Sequence, residues 1–350
     1  MPERQVGPRA TRRPTSPLAP GRRGGAALAL TAALLAVLTG ACTAQAPQDG
    51  APEAGRLRVA ASLFPLQDIV RHVAGARADV VVVLPAGASP HTFDLAPSDL
   101  ARVSGARAVF RIGHGLDDWA IRAIGEAGEA QDVLVDAGIA LRQGAEEDEH
   151  QGEEEHPEGT AGPEEAEHAA EQEPGGIDPH YWLVAANGAV IARNVAATMA
   201  ELDPDGAEAY RANARAYATE LEGLDRRLAD EAAALADRRI ATFHDAWFYF
   251  AAAYGLEVVA TFEPSGGREP SPAWVRDFQD GVRDAGVDVV FAEPQSSTRA
   301  LEAIARDLGV RIAMLDDIGG PDVPGRSSYT ELLAWNMEQI RQAKAGAGGG

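Results

Sequence analysis

The feature that most constrains the fold is an alternation of short β-rich segments with helical segments, which occurs twice along the chain. The first series begins at Arg56 and the second at Arg239, and the two share an order of elements but no sequence repeat. Strands that alternate with helices are typical of parallel sheets whose faces are covered by helices. We therefore expect an α/β fold with two lobes, each built on a parallel-type sheet with flanking helices.

A helical pattern over residues 189–236 separates the two series and is interrupted at Asp203-Pro204. Leucines recur at helical spacing in its second part, which predicts a long amphipathic helix. Roughly thirty residues at about 1.5 Å per residue make a rod of about 45 Å. Two lobes joined by such a helix enclose a cleft, and a cleft is where a ligand is expected to bind.

An acidic segment at residues 144–176 interrupts the first series. It contains thirteen carboxylates, no lysine or arginine, and three histidines, His150, His156 and His168. A segment with this charge and so few apolar residues cannot bury a core of its own, so we expect a disordered loop.

The N-terminal residues have the pattern of an export signal. Six arginines and one glutamate lie among the first 41 residues, and an uncharged run extends from Gly24 to Ala41. This pattern predicts a signal peptide at residues 1–41, whose apolar core is too short for a permanent membrane helix. We expect the mature protein to be extracytoplasmic.

The uncharged run ends at Cys42, the only cysteine of the chain. Residues 38–42 resemble a bacterial lipobox, in which the cysteine is lipidated, whereas a chance cysteine near a signal-peptidase site is the alternative. We expect Cys42 to carry a lipid that anchors the protein to the outer face of the cell membrane. Residues 42–55, rich in Pro, Ala and Gln, are then a tether.

The chain is strongly acidic. Its formal net charge is −22, and because the first 41 residues are basic, the remainder carries about −27. A charge of this sign and size excludes nucleic acid as an expected partner and is compatible with a cation.

Three of the eight histidines stand out by their position in loops. His91 and His244 follow predicted strands, and His180 follows the acidic segment, while Asp316 follows the last predicted strand. The carboxyl ends of strands form the binding crevice of open α/β sheets, and three imidazoles with one carboxylate suit Zn²⁺. Each histidine taken singly is more often a hydrogen-bonded loop residue than a ligand, so the residues alone leave both interpretations open.

From Arg56 to about Ala343 the sequence resembles the metal-specific solute-binding proteins of bacterial ABC importers, the zinc and manganese group of periplasmic binding proteins and lipoproteins. The motifs occur in the order of that family and close to its spacing. The segments that carry the resemblance are Ala60 to Leu66, Pro90 to Leu95 with Pro97 to Asp99, Asp178 to Trp182, Phe243 to Phe250, Phe291 to Gln295, and Leu315-Asp316.

The resemblance implies that His91, His180 and His244 are metal ligands and that Asp316 is the fourth. Manganese members of the family show a similar pattern with glutamate at the third position, so His244 favours zinc, in agreement with the preference of Zn²⁺ for imidazole. Asp317 competes with Asp316 for the fourth position.

Glu293 is a further carboxylate near a strand end, and we interpret it as a partner of a ligand or a hinge residue rather than as a ligand. The expected boundaries follow from these patterns. They are a signal peptide at 1–41, a tether at 42–55, an N-terminal lobe at 56–188 containing the acidic loop 144–176, connecting helices at 189–236, and a C-terminal lobe at 237–345.

The resemblance implies an extracytoplasmic zinc-binding component of an ABC importer that captures Zn²⁺ and delivers it to a membrane permease. The expected partners are that permease and its ATPase, and the membrane through the lipid anchor; we expect a monomer and no enzymatic activity. One alternative is a zinc metallochaperone for another extracytoplasmic protein. Another is a zinc hydrolase, which a Glu293 close to the metal and an unbound Asp316 would favour. For the acidic loop, a weak zinc collector and a solvated, variable linker remain equally favoured.

Overall fold

The computed structural model describes residues 56–128, 130–144, 176–264, 266–296 and 299–346. Its first sheet has four parallel strands in the order β2-β1-β3-β4. The strands and the helices between them are β1 Leu57–Ala61, α1 Phe64–Ala74, β2 Ala78–Val82, α2 Pro97–Val103, β3 Ala108–Arg111, α3 Trp119–Ala127 and β4 Gln131–Leu134.

The second sheet repeats this topology in the C-terminal half of the chain. Its four parallel strands have the order β6-β5-β7-β8, so the first strand of each half pairs with both the second and the third. The elements are β5 Arg239–Thr242, α6 Phe248–Tyr254, β6 Glu257–Thr261, α7 Pro272–Ala285, β7 Val289–Ala292, α8 Arg299–Leu308 and β8 Arg311–Met314. The two parallel sheets with flanking helices confirm the predicted fold class.

Three further helices connect and cover the sheets. They are α4 Ala185–Leu202, α5 Ala207–Ala233 and α9 Tyr329–Ala345. The break between α4 and α5 occurs at Asp203, whose side chain accepts hydrogen bonds from Arg77 Nη2 (2.8 Å) and from the Tyr210 hydroxyl (2.7 Å). At about 1.5 Å per residue, α5 is about 40 Å long, and its leucines at helical spacing are buried.

The core is continuous across the two lobes along these helices. The central strands β3 and β7 are buried over their whole length, with Phe110 and Phe291 fully inside. The largest apolar cluster contains residues of both sheets and of α4, α5 and α9. Two smaller clusters fill the opposite faces of the sheets, beneath α7 and α8 in one lobe and α2 and α3 in the other.

Hydrogen bonds tie the lobes together near their junction. The Tyr329 hydroxyl, at the start of α9, donates to the Trp182 carbonyl (2.5 Å), with the Val184 carbonyl at 3.2 Å. Trp182 Nε1 in turn donates to the Asp317 carbonyl (2.9 Å). Tyr329 fits there because residue 188 is glycine, whose missing Cβ would lie 2.5 Å from the tyrosine ring.

Several predictions concern residues outside the described part of the chain. They are the signal peptide 1–41, the tether 42–55 with Cys42, and the acidic loop with its three histidines. The described ends of that loop lie side by side, since the Gly144 amide donates to the Gly176 carbonyl at 2.6 Å. Within the described residues, no helix has the length and apolarity needed to cross a membrane.

Candidate metal centre

The fold brings together His91, His180 and His244, which are far apart in sequence. One ring nitrogen of each lies within 4.8 Å of the others, and each pair of ring centroids is 5.2 Å apart. His91 Nε2 and His180 Nε2 are separated by 3.2 Å. Two nitrogen lone pairs at this distance repel each other, so the arrangement calls for a proton or a cation between them.

His91 lies in the loop that follows β2, at the carboxyl edge of the first sheet. Burial, followed by the proximity of His180 and His244, lowers the pKa of His91 well below its usual value. The imidazole is therefore neutral at neutral pH, and neutral imidazole is the form that coordinates a metal.

His180 begins a short 3₁₀ turn, His180–Leu183, and is 2% exposed. Asp178 Oδ1 accepts hydrogen bonds from the backbone amide of His180 (3.0 Å) and from its Nδ1 (2.9 Å). A carboxylate bound to Nδ1 fixes the tautomer whose Nε2 is free to bind a metal, and this pairing is common behind metal-bound histidines.

His244 lies two residues after the end of β5 and is held in the same way. Its Nδ1 lies 2.5 Å from Glu293 Oε2, while the other oxygen of Glu293 accepts from Trp247 Nε1 at 2.9 Å. Burial acts to lower the pKa of His244, but the charge and hydrogen bond of Glu293 outweigh burial and raise that pKa to about 10. Among the described residues, nothing hydrogen-bonds the buried Nε2 of His244, so a metal can bind this nitrogen once its proton has left.

The carboxylate of Asp316 is buried and already engaged. Four donors bond its two oxygens, three of them at Oδ1 and one at Oδ2. The donors are Gln295 Nε2 (2.8 Å), the amides of Ile318 (3.0 Å) and Gly319 (2.9 Å), and Arg326 Nη1 (2.6 Å).

Asp317 instead lines the cavity that His91, His244 and Glu293 also line. No described residue donates a hydrogen bond to its carboxylate. Burial, followed by the negative charge of Glu293, raises the pKa of Asp317 to about 7. The structure thus places the side chain of Asp317 beside the histidines, whereas the role of Asp316 as fourth ligand stays a prediction.

The cavity itself is small. The space between its walls accommodates about one water-sized sphere, which suits a single ion rather than an organic molecule. The Gly266-Gly267 pair of the C-terminal lobe also lines the cavity, packed against His91.

Sequence reasoning missed two parts of this centre. Asp178 could have been found, because a carboxylate two residues before a candidate histidine ligand is well placed to orient it. The Gly266-Gly267 pair indicates a turn in the sequence, but its approach to His91 joins distant parts of the chain and carries no local signal.

Comparisons with known proteins show the family to which the chain is similar. The family model for the periplasmic component A of the zinc-uptake complex, ZnuA, matches residues 59–343. The manganese-binding lipoprotein MntA of Halalkalibacterium halodurans is 28% identical over 310 residues, which cover 87% of this chain and 94% of the relative. The high-affinity zinc uptake system protein ZnuA of Bacillus subtilis is 25% identical over 313 residues, covering 88% and 94% respectively.

The fold has a solved counterpart of similar size. The crystal structure of a ZnuA deletion mutant with zinc bound superposes with a TM-score of 0.68 at 26% identity. The match covers 83% of this chain and 98% of that chain.

Proposed function

The chain belongs to the ZnuA family of periplasmic zinc-uptake components, and we propose that it captures Zn²⁺ outside the cytoplasm and delivers it to the permease of an ABC importer. At the coarser level of the family, it is a metal-binding substrate-binding protein of an ABC importer and not an enzyme. The hydrolase alternative is therefore set aside. Glu293 would have been its general base, but that carboxylate is held between His244 and Trp247.

The observation that carries the proposal is the convergence of His91, His180 and His244, whose ligand atoms all lie within 4.8 Å of one another. Three imidazoles with one oxygen ligand form the tetrahedral set that Zn²⁺ prefers, whereas Mn²⁺ favours sites richer in carboxylate. A relative is named for manganese, so the metal must be argued from the donor atoms. The imidazole of His244 supports zinc.

The fourth ligand is proposed to come from the Asp316-Asp317 pair. Asp317 is favoured because its carboxylate lines the cavity. Asp316 is already hydrogen-bonded to Arg326 and to two backbone amides.

Delivery requires the protein to remain near its transporter. We propose that Cys42, which lies outside the described residues, carries a lipid anchor on the outer face of the cell membrane, and that a monomer docks on the permease, which works with its ATPase. The lipoprotein name of one relative supports the anchor. Delivery to another extracytoplasmic protein is the alternative. It is tested by zinc-limited growth of cells that lack the permease. If the protein still supports growth in those cells, importer delivery is contradicted.

The binding site is tested by competition titration with Zn²⁺ and Mn²⁺ on the wild type and on His244→Ala. A matched control is His72→Ala, since His72 lies on the outside of α1, stacked on Tyr217. We expect one tight zinc equivalent in the wild type and the control, and its loss or marked weakening in His244→Ala. Tight zinc binding by His244→Ala, or tighter binding of Mn²⁺ than of Zn²⁺ by the wild type, would contradict the proposal.

The same titration on Asp317→Asn and Asp316→Asn assigns the fourth ligand. We expect the larger loss of zinc affinity in Asp317→Asn. A larger loss in Asp316→Asn, with the metal-free protein still folded, assigns the position to Asp316 and means that the Arg326 ion pair opens when zinc binds.

A further inference from the structure

A glycine pair of the C-terminal lobe lies directly against His91 of the N-terminal lobe. A Cβ added to Gly266 would lie 2.2 Å from Cδ2 of the His91 ring and 2.6 Å from its Nε2. A Cβ on Gly267, whose φ is +79°, would lie 2.4 Å from the side chain of Thr92. At both positions, only glycine allows the backbone to come this close.

His91 differs from the other two histidines in how its ring is held. Asp178 fixes Nδ1 of His180, and Glu293 fixes Nδ1 of His244. Among the described residues, no group hydrogen-bonds Nδ1 of His91. A metal-bound histidine normally has its second nitrogen fixed by such a partner, so for His91 the contact that bears on ring orientation is the packing of Gly266.

The glycine turn is itself anchored beside His244. The Gly267 amide donates to Glu263 Oε2 (3.1 Å), and the Glu263 amide donates to the carbonyl of Phe243 (2.6 Å), the residue before His244. The turn therefore links the backbone next to His244 to the ring of His91 on the other side of the cleft.

We infer that Gly266 is a positioning residue for metal binding: its backbone packs against the ring of His91 and holds Nε2 toward His180 and His244. This inference rests on the proposed function, because it assumes that His91 binds the metal. Tight metal binding then depends on the absence of a side chain at position 266.

The test is Gly266→Ala, measured by zinc competition titration and by the visible spectrum of the Co²⁺-loaded protein. The added methyl group meets the end of a side chain that can rotate, so the His91 ring is expected to move while the fold persists. Loss of ligand support of this kind typically weakens metal binding about 10- to 100-fold. We expect that loss, with an altered Co²⁺ spectrum and an unchanged Tm of the metal-free protein.

Gly125→Ala is the matched control, because Gly125 is exposed on α3 and an added Cβ there meets nothing within 4 Å. It should bind zinc like the wild type. A double-mutant cycle with His91→Ala then isolates the mechanism. If Gly266 acts through His91, Gly266→Ala has no further effect once His91 is alanine.

The failures of the two proposals are distinguishable. If His91→Ala binds zinc normally, the proposed ligand set is wrong and the inference falls with it. If His91→Ala weakens binding but Gly266→Ala does not, or if Gly266→Ala weakens binding equally in the His91→Ala background, the inference alone is overturned. Should Gly266→Ala fail to fold, NMR of the wild type decides: an NOE between Gly266 Hα and the His91 ring supports the contact, and its absence refutes it.

Discussion

Glu293→Gln is the substitution whose consequences follow most directly from the geometry. The Glu293 carboxylate lies 2.5 Å from Nδ1 of His244 and raises the pKa of that imidazole to about 10. In the metal-free protein His244 is therefore protonated on both nitrogens at neutral pH. Zinc can bind Nε2 only after that nitrogen has lost its proton, so binding must release it.

The number of protons released can be worked out from the pKa values. At about pH 8.5, a group with a pKa near 10 is almost fully protonated and one near 7 almost fully deprotonated. With the pKa of His244 at about 10 and that of Asp317 at about 7, the release is about one proton per zinc, supplied by His244. In Glu293→Gln the neutral amide no longer stabilises the imidazolium of His244. At the same pH we therefore expect zinc binding to release almost no protons.

The substitution also loosens His244. Removal of a hydrogen-bonded partner behind a ligating histidine costs about 10- to 100-fold in metal affinity, or about 1.4 to 2.7 kcal/mol. Zinc titration calorimetry in buffers of different ionisation enthalpy measures both quantities at once. Glu338→Gln, at a partly exposed position on α9 far along the chain from the ligands, is the control and should behave like the wild type.

Two results would refute this reasoning. One is zinc binding by the wild type at pH 8.5 without proton release, which would mean that His244 is neutral or is not a ligand. The other is an unchanged zinc affinity in Glu293→Gln, which would mean that the carboxylate does not orient His244.

Three further predictions follow from the same contacts. Asp178→Asn should weaken zinc binding about 10-fold or more, because Nδ1 of His180 loses its charged acceptor, and competition titration measures the loss. Zinc affinity should fall with pH below about 10, where His244 holds a proton, and more steeply below about 7, where Asp317 also becomes protonated and a neutral carboxyl is a poor ligand. A pH series of titrations should show no steepening near pH 7 in Asp317→Asn. Tyr329→Phe should lower the free energy of unfolding by about 1–3 kcal/mol in urea denaturation, because the buried Trp182 carbonyl loses its donor.

Much of the fold was readable from the sequence because its signals are local. The alternation of strands and helices predicted two parallel sheets, and Asp203-Pro204 marked the break between the connecting helices. His91 and His244 follow strands of different sheets, at the carboxyl edges where parallel sheets bind ligands, and their rings converge. The sequence could therefore indicate that His91 and His244, in the loops after β2 and β5, are candidate ligands.

The rest of the site depends on side-chain direction and on distant contacts. Asp316 and Asp317 are adjacent and chemically identical, and only the folded loop decides which carboxylate meets Arg326 and which one lines the cavity. The approach of Gly266 to His91 likewise depends on how the two lobes close. No periodicity or spacing in the sequence reports such contacts.

The most direct test of the account is a crystal structure of the zinc-loaded protein with anomalous data recorded on both sides of the zinc absorption edge. We predict one strong zinc peak in the cleft, bonded to Nε2 of His91, His180 and His244 at about 2.0–2.1 Å, with a carboxylate oxygen completing a tetrahedron. A zinc peak elsewhere, or one in the cleft that lacks any of these three imidazoles, would contradict the account.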